Sequence, residues 1–511
     1  MKTLTTFQIE YIMCLYEAYE WSEITEKFNA KFGTDYKEDN LRISYHRKKD
    51  LHPDLEFTRN RFEKREPTVL QPGVRIMVTS ACPTHVIDNE RVGQVLPDVL
   101  KTLKSTHYAQ SIILTGIGHT KLGEKQSAYY DIALKPLINQ MFSSVKLHAK
   151  LEAKDYKINP QQMKPLSRLY KEGQRHNLII ASPKQHLEVA IVGNNKMPHT
   201  VQSTGCITEP SYQNNGIGTI AKENHVRGGI IVESNAELFV TRKVRINDDG
   251  SYFDLDSFIK GNKTVKGHRS ECLILGDAHV EHEDKGLTAL LYEAVKVLKP
   301  KRIVLHDLAD GVSASPFLVG SERSGIPSIL EEAAKVLDWL DRLYAACGRD
   351  VEIISANSNH HHFFDRWLRA GLYHSCPVNH RIGLEMKIAQ LDGVEPIEFL
   401  LRRDYLTHLG PNDDYFVGDI QVANHGHRGP NGAKGSKANT GRMAYRSVTA
   451  HTHEPFERDN HTGVGHWSVH RHGYNTGASG WLASFAIIQP DYSIQQIIPV
   501  KDRKGQWHWR F

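Results

Sequence analysis

The chain carries five short apolar runs, each followed closely by Asp, Asn or His, and this pattern most constrains its fold. The first run, residues 272–275, leads through Gly276 to Asp277 and His279. Its length and the flanking glycine predict a buried strand. Because residues i and i+2 of an extended segment face the same side, both polar side chains can contact one ion.

The four later runs end in the same residue types. If the strand ends meet at one edge of a sheet, where open α/β sheets bind ligands, they supply more ligands than one cation needs. Imidazole nitrogen and carboxylate oxygen suit Mn, Fe or Zn, and the lack of Cys argues against a structural zinc site. The runs and their polar ends are 302–306 with Asp307 and Asp310, 351–355 with Asn359 and His360, 417–423 with His425 and His427, and 447–450 with His451 and His453.

Length and charge limit the classes of protein to consider. The 511 residues predict several domains with ample core. The net charge of +5 means that any nucleic-acid contact must come from local basic patches. The six Cys are scattered, which indicates reduced thiols. No signal peptide or apolar run of membrane length is evident, so we expect a cytoplasmic protein without a membrane partner. A homo-oligomer stays open.

Three short helices are predicted within residues 1–55, the second of which stops at Gly33. The third is basic, which is typical of a helix-turn-helix with DNA as its partner, although a plain three-helix bundle used for docking would look the same. Residues 56–72 are predicted to be a linker. The candidate DNA-contacting residues are Arg42, Arg47, Lys48 and Lys49.

Two α/β regions are predicted after the linker, an accessory domain over 73–260 and a second domain over 265–511. The accessory region begins with a strand, the sequence Cys82-Pro83-Thr84-His85, a helix and another strand. The region from residue 273 onward repeats this succession, so the accessory domain is a candidate degenerate duplicate. Any β-α-β unit would give the same pattern, and the role of this domain stays open. Residues 199–208 are predicted to form a polar loop.

Five motifs stand in the order found in the calcineurin-like metallophosphoesterase superfamily, which the chain resembles. Within it, segments 425–435 and 474–481 are similar to the host-DNA-degrading phosphoesterases of T-five-type bacteriophages. The resemblance implies a sandwich of two mixed sheets flanked by helices in residues 265–511, and a host cytoplasm as location. The motifs are Asp277-x-His279, Asp307-x-x-Asp310, Asn359-His360, His425 and His451-x-His453.

The resemblance also implies two divalent metal ions, with Mn favoured and Fe, Zn or Mg as alternatives. Asp307 matches the bridging carboxylate. The remaining ligands are Asp277, His279 and His453 for the first ion, and Asn359, His425 and His451 for the second.

The remaining motif residues are predicted to surround the ligands. His360 matches the superfamily's proton donor to the leaving oxygen, with His361 and His362 as rivals. Asp310 matches a partner that orients a ligand, although it could equally stabilise a turn. His427 competes with His425, and Arg428 is predicted to stand near substrate.

The chain departs from the superfamily pattern at three positions. His306 precedes Asp307 where the superfamily has Gly, and Ser358 precedes Asn359 where it again has Gly. His361 stands where an acid follows the proton-donating histidine. Asp365 is a candidate for the missing acid.

These features together predict a dinuclear-metal-dependent phosphodiester hydrolase, a phage DNase that degrades host DNA. A hydroxide formed on the metals would attack the phosphodiester. The basic, Gly-rich segment 426–446 could approach phosphate closely. The alternatives are a metallophosphatase acting on nucleotides or phosphoproteins, and a DNA-binding regulator whose phosphoesterase fold is only a scaffold.

Overall fold

The computed structural model describes most of the chain, including every predicted metal ligand. The predicted linker, 56–72, lies outside the described residues. The described residues are 4–15, 19–49, 75–82, 85–87, 90–105, 110–114, 130–154, 156, 158–193, 197–210, 212, 215–316, 326–348, 350–473 and 475–511.

Three helices form the N-terminal unit at the predicted places: α1 (Thr6–Leu15), α2 (Trp21–Phe32) and α3 (Glu38–Lys49). Gly33 ends α2 with φ 59°, a left-handed conformation that a residue without Cβ adopts at low cost. The helices enclose a small core of their own, formed by Leu4, Ile9, Ile12, Leu15, Ile24, Phe28, Leu41 and Tyr45.

The longest later helices each carry an apolar stripe along the face that they bury. Asp284 caps α7, because its side chain accepts from the backbone N–H groups of Gly286 and Leu287. Ser328 and Glu331 form a capping box at the start of α8. The helices are α4 (Pro97–Leu103), α5 (Tyr170–Gly173), α6 (Gly216–Glu223), α7 (Lys285–Leu298), α8 (Ile329–Cys347), α9 (His361–Arg369), α10 (His380–Leu391), α11 (Pro396–Leu400) and α12 (Lys437–Thr440). Short 3₁₀ helices occur at Ile132–Gln140, Val280–His282, Val312–Ala314, Leu372–Ser375 and Pro430–Gly432.

The strands continue through both α/β regions. In the accessory region they are β1 (Arg75–Ser80), β2 (His85–Ile87), β3 (Glu90–Val92), β4 (Gln110–Leu114), β5 (Met141–Phe142), β6 (Ser144–His148), β7 (Leu151–Lys154), β8 (Asn177–Ile180), β9 (Leu187–Ala190), β10 (His199–Ser203), β11 (Gly228–Ser234), β12 (Phe239–Arg245), β13 (Tyr252–Asp254), β14 (Ser257–Lys260) and β15 (Lys263–Lys266). Further along they are β16 (Cys272–Leu275), β17 (Arg302–Leu305), β18 (Glu352–Ser355), β19 (Leu406–His408), β20 (Phe416–Val417), β21 (Ile420–Gln421), β22 (Arg446–Thr449), β23 (Phe456–Arg458), β24 (His461–Gly463), β25 (Phe485–Ile488), β26 (Ile494–Ile497), β27 (Val500–Lys501) and β28 (Trp507–His508).

A six-stranded sheet of order β19-β18-β17-β16-β25-β26 lies at the centre of the second region. Strands β16 to β19 are parallel, β25 runs antiparallel to β16, and β26 runs antiparallel to β25. One face packs on α7 and α8, with Leu291 and Leu340 fully buried there. The other face packs Ile274 and Val304 against Ile420 and Val448 of a second sheet. The predicted α/β class with mixed sheets is thus confirmed.

That second sheet has ten strands, in the order β20-β21-β22-β24-β23-β9-β10-β8-β7-β6. It draws five strands from each α/β region, and the two sets join where Glu457 of β23 pairs with Leu187 of β9. Its β6–β10 half packs against a five-stranded sheet of order β12-β11-β1-β4-β5. The predicted domain bounds stay predictions, but the two regions share one hydrogen-bonded sheet.

The two regions repeat one arrangement of strands. In the five-stranded sheet, β1 is parallel to β4 and antiparallel to β11, just as β16 is parallel to β17 and antiparallel to β25. The halves of the ten-stranded sheet also match in order and direction, β6-β7-β8-β10-β9 against β20-β21-β22-β24-β23. A duplication remains a prediction, with this correspondence in its favour.

The polar loop predicted over 199–208 is wrong in its first half. Residues His199–Ser203 form β10, which lies between β8 and β9. The side chains of Thr200, Gln202 and Ser203 are buried, and Gln202 Nε2 donates to Thr241 Oγ1 at 2.8 Å. Among the described residues, no helix combines the length and the apolar character that a membrane crossing requires.

Candidate metal centre

The predicted ligands converge at the junction of two sheets, not at the edge of one sheet as the sequence analysis expected. Asp277, Asp307 and Asn359 follow the parallel strands β16, β17 and β18 of the six-stranded sheet. His425 and the pair His451 and His453 follow β21 and β22 of the ten-stranded sheet. The expectation failed because periodicity shows where a strand ends but not which sheet it joins.

Several of these residues have a left-handed backbone, which is unusual for residues other than glycine. The φ angles are 38° at His279, 42° at Asp307, 68° at His451 and 54° at His453. Backbone hydrogen bonds hold the turns, such as the one from His279 N–H to Asp307 O at 2.8 Å. Such outliers persist only where the surroundings fix them, and they cluster at functional sites.

Four side chains form a first group in which all ligand atoms lie within 4.8 Å of one another: Asp277, His279, Asp307 and His453. His453 Nε2 is 2.9 Å from Asp277 Oδ2 and 3.2 Å from His279 Nε2. His279 Nε2 is 3.9 Å from Asp307 Oδ2. All four are buried.

A second group adjoins the first through Asp307. His425 Nε2 lies 3.2 Å from Asp307 Oδ2 and 2.9 Å from Asn359 Oδ1. His451 Nδ1 contacts the same Asn359 oxygen at 2.9 Å. Asp307 therefore stands between two sets of ligand atoms, the position that a bridging carboxylate requires.

Without a cation, the two carboxylates in this pocket repel each other, and burial shifts the pKa values of the ligand side chains. Burial and repulsion from Asp307 raise the pKa of Asp277. Burial would also raise the pKa of Asp307, but the imidazoles of His425 and His360 hold it well below its ordinary value. Burial lowers the pKa of His453 to about 4 and also lowers that of His425. The imidazoles are thus neutral at pH 7, the state that offers a lone pair to a metal.

In the described part of the chain, several buried ligand atoms lack a hydrogen-bond partner, which shows whether the site suits a cation. Both carboxylate oxygens of Asp277, Oδ1 of Asp307 and Nδ1 of His425 are buried without a partner in hydrogen-bond geometry among the described residues. The 2.9 Å contact from His453 does not satisfy Asp277, because its angles are not those of a hydrogen bond. Buried polar atoms are rarely left unpaired. A carboxylate and imidazole set of this kind fits divalent Mn, Fe or Zn.

His360 lies beside the ligands and is held by Asp310. Its Nδ1–H donates to the backbone oxygen of Asp310 at 2.7 Å. Burial lowers the pKa of His360, but the carboxylates of Asp307 and Asp310 outweigh it and raise that pKa above its ordinary value. Asp310 Oδ1 is also 3.0 Å from His279 Nδ1, so Asp310 faces the nitrogen that His279 does not direct toward the ligand group.

The rival histidines point elsewhere. His361 is buried, and its Nε2 makes no hydrogen bond to the ligand groups among the described residues, while His362 contacts Asn357 Oδ1 at 2.6 Å. The His427 ring is 5.4 Å from the His425 ring, on the side toward His362. Of the rival histidines, His425 is thus the one that contacts the Asp307 carboxylate, and His360 the one that contacts the Asp310 carboxylate.

Arg428 and Asp365 lie farther out. Arg428 Nη2 donates to His362 Nδ1 at 3.3 Å and contacts no member of the ligand groups among the described residues. Asp365 pairs with Arg369 and accepts from Gln390 Nε2 at 2.7 Å. The idea that Asp365 replaces the missing acid is therefore wrong, because Asp310 orients His360 instead.

The candidate DNA-contacting residues lie on α3, outside the ligand groups. Arg42 and Arg47 are exposed and Lys48 is half-buried, while the side chain of Lys49 lies outside the described residues. The basic segment 426–446 flanks the centre. There Gly435 lies so close to the chain that a Cβ would stand 1.8 Å from Gly426 O.

Three residues beside the centre were not among the predicted site residues. His282 and His472 stack with ring centroids 4.3 Å apart, and with Asp310 they form a third group of candidate ligand atoms. The Trp481 ring lies over His453 at 3.9 Å between centroids. His470-x-His472 has the spacing of His451-x-His453, and this signal could have found His472.

Comparison with known proteins gives one curated relative of note. The chain is 26% identical over 319 residues to Protein A1 of Escherichia phage T5. The match covers 56% of this chain and 56% of the phage protein, so it spans about half the length of each. No family model matches the chain.

Solved structures give a partial overlap. Two crystal structures of Vps29 from Chaetomium thermophilum, one of them in complex with a cyclic peptide, each cover 38% of this chain. The complex is 11% identical, covers 96% of its own chain and gives a TM-score of 0.22. The other is 10% identical, covers 98% of its own chain and gives a TM-score of 0.21.

Proposed function

We propose that this protein is a metal-dependent phosphodiester hydrolase that degrades DNA, in the manner expected of a phage nuclease. The main support for this proposal is the position of Asp307, a buried carboxylate between two sets of ligand atoms. Centres built around a shared carboxylate hold two cations and are typical of enzymes that cleave phosphate esters. The similarity to a phage protein is consistent with the phage origin.

The chain's own residues would divide the work. Asp277, His279 and His453 would hold one cation, Asn359, His425 and His451 the other, and Asp307 would contact both. When bound, such cations make water more acidic and neutralise charge on the phosphate.

His360 supplies the proton in this proposal. Its Nε2 is the nitrogen not used in the 2.7 Å bond to Asp310 O, so that edge of the ring can donate to a leaving oxygen. The carboxylates of Asp307 and Asp310 favour its protonated form. Asp310 thereby fixes both the orientation and the charge of the proton donor.

A direct assay tests the proposal. We expect the purified protein to bind about two Mn²⁺ per chain and to cleave linear duplex DNA only when Mn²⁺ is present, with EDTA abolishing cleavage. A protein that binds Mn²⁺ but hydrolyses only p-nitrophenyl phosphate would support the metallophosphatase instead. A protein that binds no divalent ion would contradict both.

Replacing His360 separates proton donation from metal binding. In His360→Gln, we expect DNA hydrolysis to fall by about 10² to 10³-fold, because a positioned proton donor contributes an effect of that size. Mn²⁺ uptake should stay unchanged, since His360 Nδ1 is occupied by Asp310 O. Isothermal titration with Mn²⁺ and single-turnover cleavage measure the two effects. His362→Gln is the matched control, and a loss of Mn²⁺ binding in His360→Gln would refute the assignment.

The N-terminal unit is proposed to hold the DNA backbone through α3. In the double variant Arg42→Glu, Arg47→Glu, we expect weaker binding of a long duplex and a shallower dependence on salt, by roughly one unit of slope per lost phosphate contact. Cleavage of a short oligonucleotide should be unaffected. The double variant Lys296→Glu, Lys335→Glu, on exposed positions of α7 and α8, is the charge-matched control. Unchanged affinity in the double variant would favour the docking bundle.

A further inference from the structure

Two cysteines that are 124 positions apart in sequence meet in the accessory region. Cys82 follows β1 and Cys206 follows β10, and their Sγ atoms are 3.9 Å apart. Both are fully buried. Neither belongs to the proposed metal centre.

A histidine lies against one of the two sulfurs. His225 Nε2 is 3.2 Å from Cys206 Sγ and 2.9 Å from the backbone oxygen of Thr208. The other ring nitrogen, Nδ1, contacts the Tyr212 hydroxyl at 2.8 Å. The ring is therefore oriented on both sides, the arrangement in which an imidazole activates a neighbouring thiol.

The pKa values of the two thiols are shifted in opposite directions. Burial would raise the pKa of Cys206, but its contacts with Cys82 and His225 hold it well below its ordinary value. The contact with Cys206, together with burial, raises the pKa of Cys82 well above the ordinary value. Lys184, itself buried, adds positive potential nearby. Cys206 is therefore the more acidic of the two thiols and Cys82 the one that holds its proton more tightly, the pairing that thiol chemistry needs.

The position of the pair follows the repeated strand arrangement. Cys82 lies just beyond β1, and β1 occupies in its sheet the place that β16, which leads to Asp277, occupies in the other.

His225 and Lys184 also line a cavity of about 70 Å³, which is large enough for a molecule of the size of water or peroxide.

We propose that Cys82 and Cys206 are a site of reversible oxidation, forming a disulfide when hydrogen peroxide reaches Cys206. The Cys206 thiolate attacks one peroxide oxygen, so that an S–O bond forms and the O–O bond breaks. The leaving hydroxide takes the proton of His225 and departs as water. Cys82 then attacks the Cys206 sulfur, an S–S bond replaces the S–O bond, and a second water carries away the Cys82 proton. The sulfurs need to approach by roughly 2 Å to reach bonding distance.

The test uses the full-length protein, reduced and then freed of reductant. After brief exposure to hydrogen peroxide, thiols are alkylated under denaturing conditions and the peptides are identified by mass spectrometry. We expect a Cys82–Cys206 crosslink that dithiothreitol removes. Cys272 is the internal control, because it is equally buried and burial raises its pKa above the ordinary value. A pair that stays reduced, or that oxidises no faster than Cys272, would overturn the proposal.

Two variants test the order of the steps. In Cys82→Ser, dimedone should trap Cys206 as the sulfenic acid, since the second thiol is missing. In His225→Gln, oxidation of Cys206 should slow by about tenfold or more. An unchanged rate there would overturn the role of His225, and the wild-type crosslink decides the proposal should that variant fail to fold. No metal takes part, so the result is independent of the proposed hydrolase.

Discussion

Asp307→Asn should abolish Mn²⁺-dependent DNA cleavage, with a loss of about 10³-fold or more, while leaving the fold intact. Asp307 is 1% exposed and lies within 4 Å of both His279 and His425, one member of each set of ligand atoms. Asn keeps its shape but removes the charge that a bridging position needs. Without metal, the change relieves repulsion on Asp277 but also removes the attraction between Asp307 and the imidazoles of His425 and His360, so these two effects oppose each other in the metal-free variant.

Thermal unfolding with and without Mn²⁺ measures how much a bound ion stabilises the wild type and the variant. At a hundredfold excess over Kd, a bound ion adds about 2.7 kcal/mol to the wild-type free energy of unfolding, and the variant should lack most of that gain. Asp338→Asn, on an exposed carboxylate of α8, is the matched control and should behave as the wild type. A variant that cleaves DNA would defeat the bridging role. Should the biological effect survive loss of cleavage with DNA binding intact, the regulator hypothesis would win.

Gly465→Ala should strongly destabilise the protein, although it adds only one methyl group near the centre. A Cβ there would stand 1.8 Å from the backbone oxygen of Leu482, and no flexible side chain can yield to it. Gly465 O also accepts the backbone N–H of Asp277 at 3.1 Å, so a shift of this chain would displace a metal ligand. We expect a loss of more than about 3 kcal/mol in the free energy of unfolding, together with weakened Mn²⁺ binding.

Gly216→Ala provides the comparison for that variant. Gly216 begins α6, and a Cβ there meets nothing within 4 Å. The change should alter stability by less than about 1 kcal/mol, because only the freedom of the unfolded chain differs. Urea unfolding of both proteins decides the matter. Equal midpoints would show that the backbone near Gly465 is free to move.

Much of the framework could be predicted because its signals are local. The apolar stripes of α7 and α8, with caps at Asp284 and Ser328, fix those helices without knowledge of their neighbours. The strand at residues 272–275 is apolar throughout, as a strand buried on both faces must be. The ligand candidates were visible for the same reason, since they directly follow such strands.

What escaped prediction depends on contacts distant in sequence. β10 was mistaken for a loop because Thr200 and Gln202 are polar, and only the partners Asn177 and Thr241 make their burial acceptable. Nothing in the sequence shows that His425 and His451 arrive from a different sheet than Asp277. Nor could spacing reveal that Asp310, not Asp365, orients His360.

The continuous ten-stranded sheet makes the two regions dependent on each other. Strand β23 is covered by β9 through the Glu457–Leu187 pairing, and Lys243 reaches Glu457 at 2.7 Å across the same junction. Cut from the rest, residues 265–511 would present that edge of β23 to solvent, where unpaired N–H and C=O groups invite strands of other molecules. In the intact chain, the accessory region therefore covers this strand edge and keeps it from pairing with other molecules.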